Sequence, residues 1–418
     1  MKGNSRGVRP AHGESIIFVN RYFYPDHSAT SQILSDLAFH LAASGRSVRV
    51  LTSRQRYDDP SAELPEVEAR NGVLITRLAT TRFGRSRLVG RAFDYLSFYQ
   101  AARRSVLAYA NPGDVVVAKT DPPLLGAAIL GATRRRGVRL VNWLQDIYPE
   151  VAVELGVPLV KGPIAQSLMR ARDMSLRSAE ANIVVGEGMA EVLLARGVRQ
   201  ERIHVICNWC DDEEIRPVPG NENPLRREWL LEDRFVVGYS GNLGRGHEFD
   251  TALSAAECLR GDPRIVFLFI GGGHKLDELK RHVSERNLGH LFRFMQYQDT
   301  DALKHSLAVP DVHWFSLKPE LEGLMVPSKF YGIAAAGRAM IAVTSEDGEL
   351  ARLIRLHRCG EVIAPGNAEQ FAAALRRFSV HGEELQRMGL RARRMLEAHF
   401  SRNQALRRWQ LLFEALSS

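Results

Sequence analysis

The 418-residue chain is 45% hydrophobic and 25% charged, an ordinary balance for a globular protein of two or three domains. Its longest uncharged apolar run, Pro122 to Thr133, falls well short of the ~20 residues of a membrane span. The net charge of +8 is uneven: residues 1–210 carry 28 Lys+Arg against 19 Asp+Glu (+9), and residues 211–418 carry 28 against 29 (−1). That split points to an anionic surface or partner for the first half only.

Residues 1–13 are polar, basic and Gly/Pro-bearing, read as a disordered tail without the apolar stretch of a signal peptide. Short apolar runs then alternate with helical patterns. The predicted strands of the first half are Ser15–Asn20, Val48–Thr52, Val73–Arg77, Asp114–Ala118, Val138–Leu144, Ala181–Val185 and Ile203–Cys207. The helices between them are Thr30–Ala43, Arg91–Ala110, Leu124–Arg136, Pro163–Ser178 and Met189–Arg196. Several strands are Val/Ile-rich without period-2 alternation, as in parallel strands covered on both faces. Asn208 to Pro224, rich in Asp, Glu, Pro and Asn, breaks the pattern as a linker. The alternation then restarts with strands at Phe235–Tyr239, Ile265–Ile270, Leu291–Met295, Val312–Phe315, Ala339–Val343 and Glu361–Ala364. Two helices close the chain, Gly382–His399 and Arg402–Leu416. The fold class is α/β: two Rossmann-like, doubly wound domains facing a cleft. Their limits are 14–208 and 225–398, joined by a linker at 209–224, and residues 399–418 form a helix packing back on the first domain.

The turn after the first strand, Arg21 to Thr30, contains no glycine, which argues against a dinucleotide there. Its tyrosines, with Asp26, His27 and Ser28, suit a polar organic substrate, or a loop packed by its own aromatics. In the second half, Gly241, Gly244 and Gly246 follow a strand and let a backbone approach an anion, with Arg245 supplying charge. Gly271-Gly272-Gly273 is a weaker turn of the same kind. The most specific stretch runs from Pro319 to Arg338. It places an acid at Glu322 in a loop, then opens a helix at Pro327-Ser328-Lys329. A lysine at a helix N-terminus opposes the macrodipole unless an anion lies between them, and a diphosphate is such an anion. Asp146 ends a buried-looking strand, where active-site carboxylates often sit; a helix cap or a carboxylate fixing the Tyr148-Pro149 turn is the competing reading. His27 is a weaker base candidate.

Tyr24-Pro25 with Ser28-Ala-Thr30, Thr120-Asp-Pro-Pro123, Gln145-Asp146-Ile-Tyr-Pro149, Asn208-Trp209 with Asp211, Tyr239-Ser-Gly-Asn-Leu-Gly244 and Val326-Pro-Ser-Lys329 occur in one order along nearly the whole chain. Together they resemble retaining family 4 glycosyltransferases of GT-B architecture, in the branch that assembles capsule, O-antigen and colanic-acid-type polysaccharides. The resemblance implies transfer from a nucleotide-diphosphate sugar, a UDP-sugar above all, to a polyprenyl-diphosphate-linked saccharide, with retention and without metal or cofactor. It implies that Glu322 binds the donor sugar. Gly241, Asn242, Arg245, the N–H groups of Gly323 and Leu324, Ser328 and Lys329 would hold the nucleotide diphosphate. Tyr24, Asp26, Ser28 and Asp121 would meet the acceptor, with Asp146, Glu322 and His27 as catalytic candidates. The family's second glutamate, which grips the ribose, aligns with Gly332.

Arg77 to Tyr109 holds seven arginines, one acid (Asp94) and many aromatics. It reads as a membrane-interface segment or a helix with its aromatic stripe in the core; no nucleic-acid motif accompanies it. A cytoplasmic enzyme held peripherally at the inner face of the plasma membrane follows. The Cys207/Cys210 pair has no second Cys or His pair at zinc spacing and reads as reduced thiols. The competing functions are a sugar-nucleotide epimerase or phosphorylase on the same scaffold and a non-catalytic binding subunit.

Overall fold

A computed structural model describes residues 14–26, 28–57, 59, 61–84, 88–158 and 160–417. The predicted tail, His27, Arg85 and Arg87 lie outside the described residues. The first domain is an eight-stranded sheet of β1 (Ser15–Val19), β2 (Ser47–Ser53), β3 (Val67–Arg70), β4 (Val73–Leu78), β5 (Val115–Lys119), β6 (Arg139–Trp143), β7 (Ala181–Val184) and β8 (Ile203–Val205). Their spatial order is β3-β4-β2-β1-β5-β6-β7-β8, parallel except for β3. The second is a six-stranded parallel sheet of β9 (Phe235–Ser240), β10 (Ile265–Ile270), β11 (Phe292–Met295), β12 (Val312–Ser316), β13 (Ala339–Val343) and β14 (Gly360–Ile363). Its order, β11-β10-β9-β12-β13-β14, is that of a doubly wound nucleotide-binding domain.

Residue choice explains the layers. Every residue of β5 (Val-Val-Val-Ala-Lys) and of β10 (Ile-Val-Phe-Leu-Phe-Ile) is buried, as helices on both faces require. Sequence analysis passed over β3. Its Val-Glu-Ala-Arg is mostly exposed on the sheet edge and lacks an apolar run. The turn that follows carries the signal instead: Asn71 and Gly72 both have positive φ, 47° and 77°, as a two-residue hairpin demands.

The polypeptide crosses between the sheets twice. On the first crossing Trp209 Nε1 donates to Asp36 at 2.7 Å, and Arg393 donates to the carbonyls of Asp212 and Ile215 at 3.0 Å each. Cys207 and Cys210 are unpaired thiols here; burial pushes their pKa values up, to about 11 and about 12. Cys210 donates to the Tyr331 carbonyl at 3.5 Å, so the pair packs the crossing against the second domain. On the return, Arg402 grips Asp36 with Nε at 2.8 Å and NH2 at 2.5 Å. The helix Arg402–Ser417 then buries Trp409 and Phe413 in the first domain's core, where Trp409 packs 4.6 Å from Trp143 and Phe413 lies 6.2 Å from Phe18.

A large indole seated in the core by the helix Arg402–Ser417 makes that core dependent on a segment that follows the second domain. Trp409→Ala should lower stability by about 3–5 kcal/mol, the cost of a large-to-small core substitution. Urea denaturation followed by Trp emission checks it; a change within about 0.5 kcal/mol, as at a surface site, would show that the helix is not part of the first domain's core.

Candidate active site

Strand order reverses between β1 and β5 in one sheet and between β9 and β12 in the other. Ligands of doubly wound sheets bind outside the carboxyl ends of the strands at such switch points. The loops there are 20–28 and 120–124 in the first domain and 241–247 and 317–328 in the second. Nearly all the residues singled out from sequence lie in these four loops, in the segment after β6, or at the start of the helix Lys329–Ala335.

The second-domain loops form a cationic turn. Gly241 has φ +113°, and its N–H donates to the Ile270 carbonyl at 2.8 Å. Lys329 passes over it: a Cβ on Gly241 would lie 3.5 Å from Lys329 Cε. The ammonium stands 5.0 Å from the centroid of the Tyr239 ring and 3.1 Å from His247 Nε2. Burial lowers the Lys329 pKa to about 7. Arg245 is exposed in the turn after β9, and so are Asn242 and, before the helix Lys329–Ala335, Ser328. Ser328 caps the helix Lys329–Ala335 by position but makes no side-chain cap bond.

Glu322 is held in place by its neighbours in the second domain. Thr344 Oγ1 donates to its Oε1 at 2.7 Å, and a Cβ at Gly348 would overlap the carboxylate. Burial raises its pKa. Gly323 has φ +71°. Leu324 departs from expectation: its N–H donates to the Leu321 carbonyl at 3.0 Å, so the turn itself consumes the donor assigned to a phosphate. Gly332 has open space, with only Leu307 Cδ1 within reach of a Cβ, at 3.6 Å.

Across the cleft, the segment after β6 meets the donor loop directly. Asp146 forms an antiparallel bridge with Met325, and Ile147 N–H donates to the Leu324 carbonyl at 2.8 Å. Burial first, then the charge of Asp121, raises the Asp146 pKa to about 6. Asp121 and Asp146 thus form an acidic pair that sequence spacing did not reveal, because they end neighbouring strands, β5 and β6. The loop after β1 packs on its own aromatics, one of the two readings it allowed. Asp26 accepts from the backbone N–H groups of Ser28, at 2.8 Å, and Tyr57, so its carboxylate fixes the loop. The Tyr24 ring packs 5.8 Å from Phe39 with Arg70 over it. Ser28 keeps a buried hydroxyl without a hydrogen-bond partner.

A second contact between the domains was invisible in the sequence. Glu349 of the second domain accepts from the N–H groups of Glu187 and Gly188, at 3.1 Å each. Those amides open the helix Glu187–Ala195, whose dipole favours a carboxylate.

The basic–aromatic segment has one face in the core and one exposed. In the helix Leu88–Tyr109, Phe98, Ala102 and Val106 are buried, whereas Val89, Phe93 and Leu96 face outward with Phe83 packed against Phe93. Phe83 and Val89 are each 62% exposed, Phe93 and Leu96 each 55%. Arg77 is no surface cation: it is buried and bonded to Glu68 and the Tyr24 carbonyl, at 2.8 and 3.0 Å. Asp94 pins the preceding loop by accepting from Thr81 Oγ1, Phe83 N–H and Gly84 N–H at 2.7–3.1 Å, and it pairs in the interior with Arg21 at 3.1 Å.

Comparison with known proteins agrees with this layout. Residues 29–209 match the model of a glycosyl transferase 4-like domain, and residues 221–395 that of glycosyl transferases group 1. The chain is 32% identical over 279 residues to the probable glycosyltransferase WbjE of Pseudomonas aeruginosa, covering 65% of this chain and 68% of that one. It is 26% identical to the putative colanic acid biosynthesis glycosyl transferase WcaI of Escherichia coli K12, covering 57% and 60%. Its fold is that of Anabaena Alr3699/HepE, solved in complex with UDP (TM-score 0.70, 15% identity, 96% and 100% covered). It is also that of WaaG, a glycosyltransferase involved in lipopolysaccharide biosynthesis (TM-score 0.64, 14% identity, 92% and 96% covered).

The Lys329 pKa gives a measurable consequence. At pH 8 a lysine titrating near 7 is mostly neutral, and a diphosphate beside it restores the charge. Binding a nucleoside diphosphate should therefore take up about 0.9 proton at that pH, and affinity should fall as pH rises through the free lysine's pKa. Calorimetry in buffers of different ionisation enthalpy measures the uptake, which Lys329→Met should abolish. A binding enthalpy independent of buffer would exclude Lys329 as the phosphate cation.

Proposed function

This chain belongs to family 4 of the GT-B glycosyltransferases, in the branch that builds bacterial surface polysaccharide, and from that premise we propose that it transfers a sugar from a UDP-sugar to a polyprenyl-diphosphate-linked saccharide with retention of configuration. The observation that carries the reading is the Asp146–Met325 bridge, which sets the segment holding Asp146 in one domain against the loop of the other that runs from Glu322 to the helix start at Lys329. Glu322 would take the donor sugar's hydroxyls, and Lys329 with Arg245 the diphosphate. These two cations neutralise the leaving group, so no divalent metal is needed. The acceptor hydroxyl attacks the anomeric carbon from the face the diphosphate leaves. The C–O bond to the diphosphate breaks as the new glycosidic C–O bond forms, and the hydroxyl proton passes to the departing phosphate oxygen. Asp146 orients the acceptor hydroxyl as a hydrogen-bond acceptor when ionised.

Incubation with a panel of nucleotide sugars and a polyprenyl-diphosphate saccharide tests the assignment. The expected product carries a new glycosidic bond of the donor's anomeric configuration by NMR, formed equally well in chelator. An inverted linkage, or an isomerised or phosphorolysed sugar, would refute it. Because the Asp146 pKa lies near 6 and the ionised form is the useful one, activity should rise with pH through about 6. Asp146→Asn should lower kcat and remove that acid limb. An unchanged limb would assign it to another group.

The enzyme meets its acceptor at the membrane. Among the described residues no helix is long and apolar enough to cross a bilayer. The exposed Phe83, Val89, Phe93 and Leu96 support seating in an anionic interface, as does the +9 charge of residues 1–210. Each basic residue near such a surface adds about 1 kcal/mol, weakened by salt. Phe83→Ser with Phe93→Ser should cut co-sedimentation with anionic vesicles while leaving the melting temperature in place. Equal binding by the double variant would remove the aromatic patch from the docking surface.

A further inference from the structure

His247 ends the glycine turn after β9 and is buried, 7% exposed. Both ring nitrogens are engaged. Nδ1 lies 2.5 Å from the Ser316 carbonyl oxygen at the end of β12. A carbonyl has no hydrogen to give, so Nδ1 carries the ring's proton and Nε2 is left as a lone pair. Lys329 Nζ lies 3.1 Å from that lone pair. The ring's orientation is fixed further by its own backbone N–H, which donates to the Gly244 carbonyl at 3.2 Å, and by the Tyr239 ring at 6.2 Å, edge-on.

We propose that His247 is a positioning residue for the donor's diphosphate: locked by Ser316 as an acceptor at Nε2, it holds the Lys329 ammonium over the Gly241 turn before a donor arrives. The inference rests on the reading of Lys329 as the diphosphate cation. A lysine has a long flexible stem and three rotatable donors, and a planar acceptor at its tip removes most of that freedom. The groups facing the pair are the Tyr239 ring, the Ser316 carbonyl and Lys275, whose charge also bears on the imidazole. Burial and the neighbouring lysines push the His247 pKa down to about 3, so the imidazole stays neutral and the lysine is the titrating partner. A neutral acceptor favours the charged lysine. Without it the Lys329 pKa would drop further.

The test is UDP binding to the full chain by calorimetry across pH 6–9, with His247→Leu, which removes the acceptor, and His247→Gln, which keeps one. His247→Leu should weaken UDP about tenfold or more at neutral pH, as expected for a lost hydrogen bond to a charged group. It should also move the alkaline fall in affinity to lower pH. His247→Gln should recover most of the affinity and the original limb. A limb that stays in place in His247→Leu overturns the proposal, whatever happens to the melting temperature. If His247→Leu does not fold, His247→Asn, too short to reach, replaces it against His247→Gln; identical limbs in those two overturn the proposal. Lys329→Ala separates the two layers. Undiminished UDP affinity in that variant would remove the diphosphate reading itself. Lost affinity there, with an unmoved limb in His247→Leu, would remove only the role of His247.

Discussion

The cleft stands on the close approach of two backbones. A Cβ on Gly188 of the first domain would lie 3.1 Å from the Gly323 Cα of the second, and one on Gly186 would lie 2.6 Å from Glu349 Oε2 and 2.8 Å from Val326 Cγ2. Only residues without side chains allow that spacing. The segment carrying Glu322, Gly323 and Leu324 is thereby clasped on two sides, by the helix end at Gly186–Gly188 and by the Asp146–Ile147 segment. Every functional group in the donor loop inherits its position from this clasp. An alanine at Gly188 would disturb the site without touching a ligand.

Three ionisable groups of these loops share one electrostatic pressure. Asp146, Glu322 and Lys329 are each shifted first of all by burial. Desolvation raises the two acids and lowers the lysine, so each is drawn toward its neutral form while the site is empty. A partner that hydrogen-bonds to the ionised form of any of the three would shift it back toward that form, so their charge state depends on what stands beside them as well as on pH.

What the sequence made legible follows from how local each signal was. The buried strands declared themselves by continuous Val/Ile runs, and the turn after β9 by glycines within six residues of one another. The helix start at Pro327-Ser328-Lys329 needed no distant partner to be read. The His247–Lys329 contact spans 82 positions and the Glu349–Gly188 contact 161, and nothing in either segment names the other. Side-chain orientation lay beyond the sequence: the Tyr24 ring packs on Phe39, and the Asp26 carboxylate accepts from two backbone amides. The N–H of Leu324 was assigned outward, and the turn directs it inward to Leu321. β3 was hidden because an edge strand has one exposed face, although Asn71-Gly72 marked its hairpin.

The helix Arg402–Ser417 has a consequence for how the protein is made. Trp143 and Trp209, stacked 6.2 Å apart, are covered by Trp409 only when this helix is available. During synthesis the first domain emerges early but with an uncovered indole surface, and it must wait for the whole second domain to be translated. Domains normally fold in order of emergence; here the first to appear is the last to be sealed. A nascent chain that stops before Trp409 leaves the Trp143–Trp209 pair uncovered, an apolar surface open to chaperones and proteases.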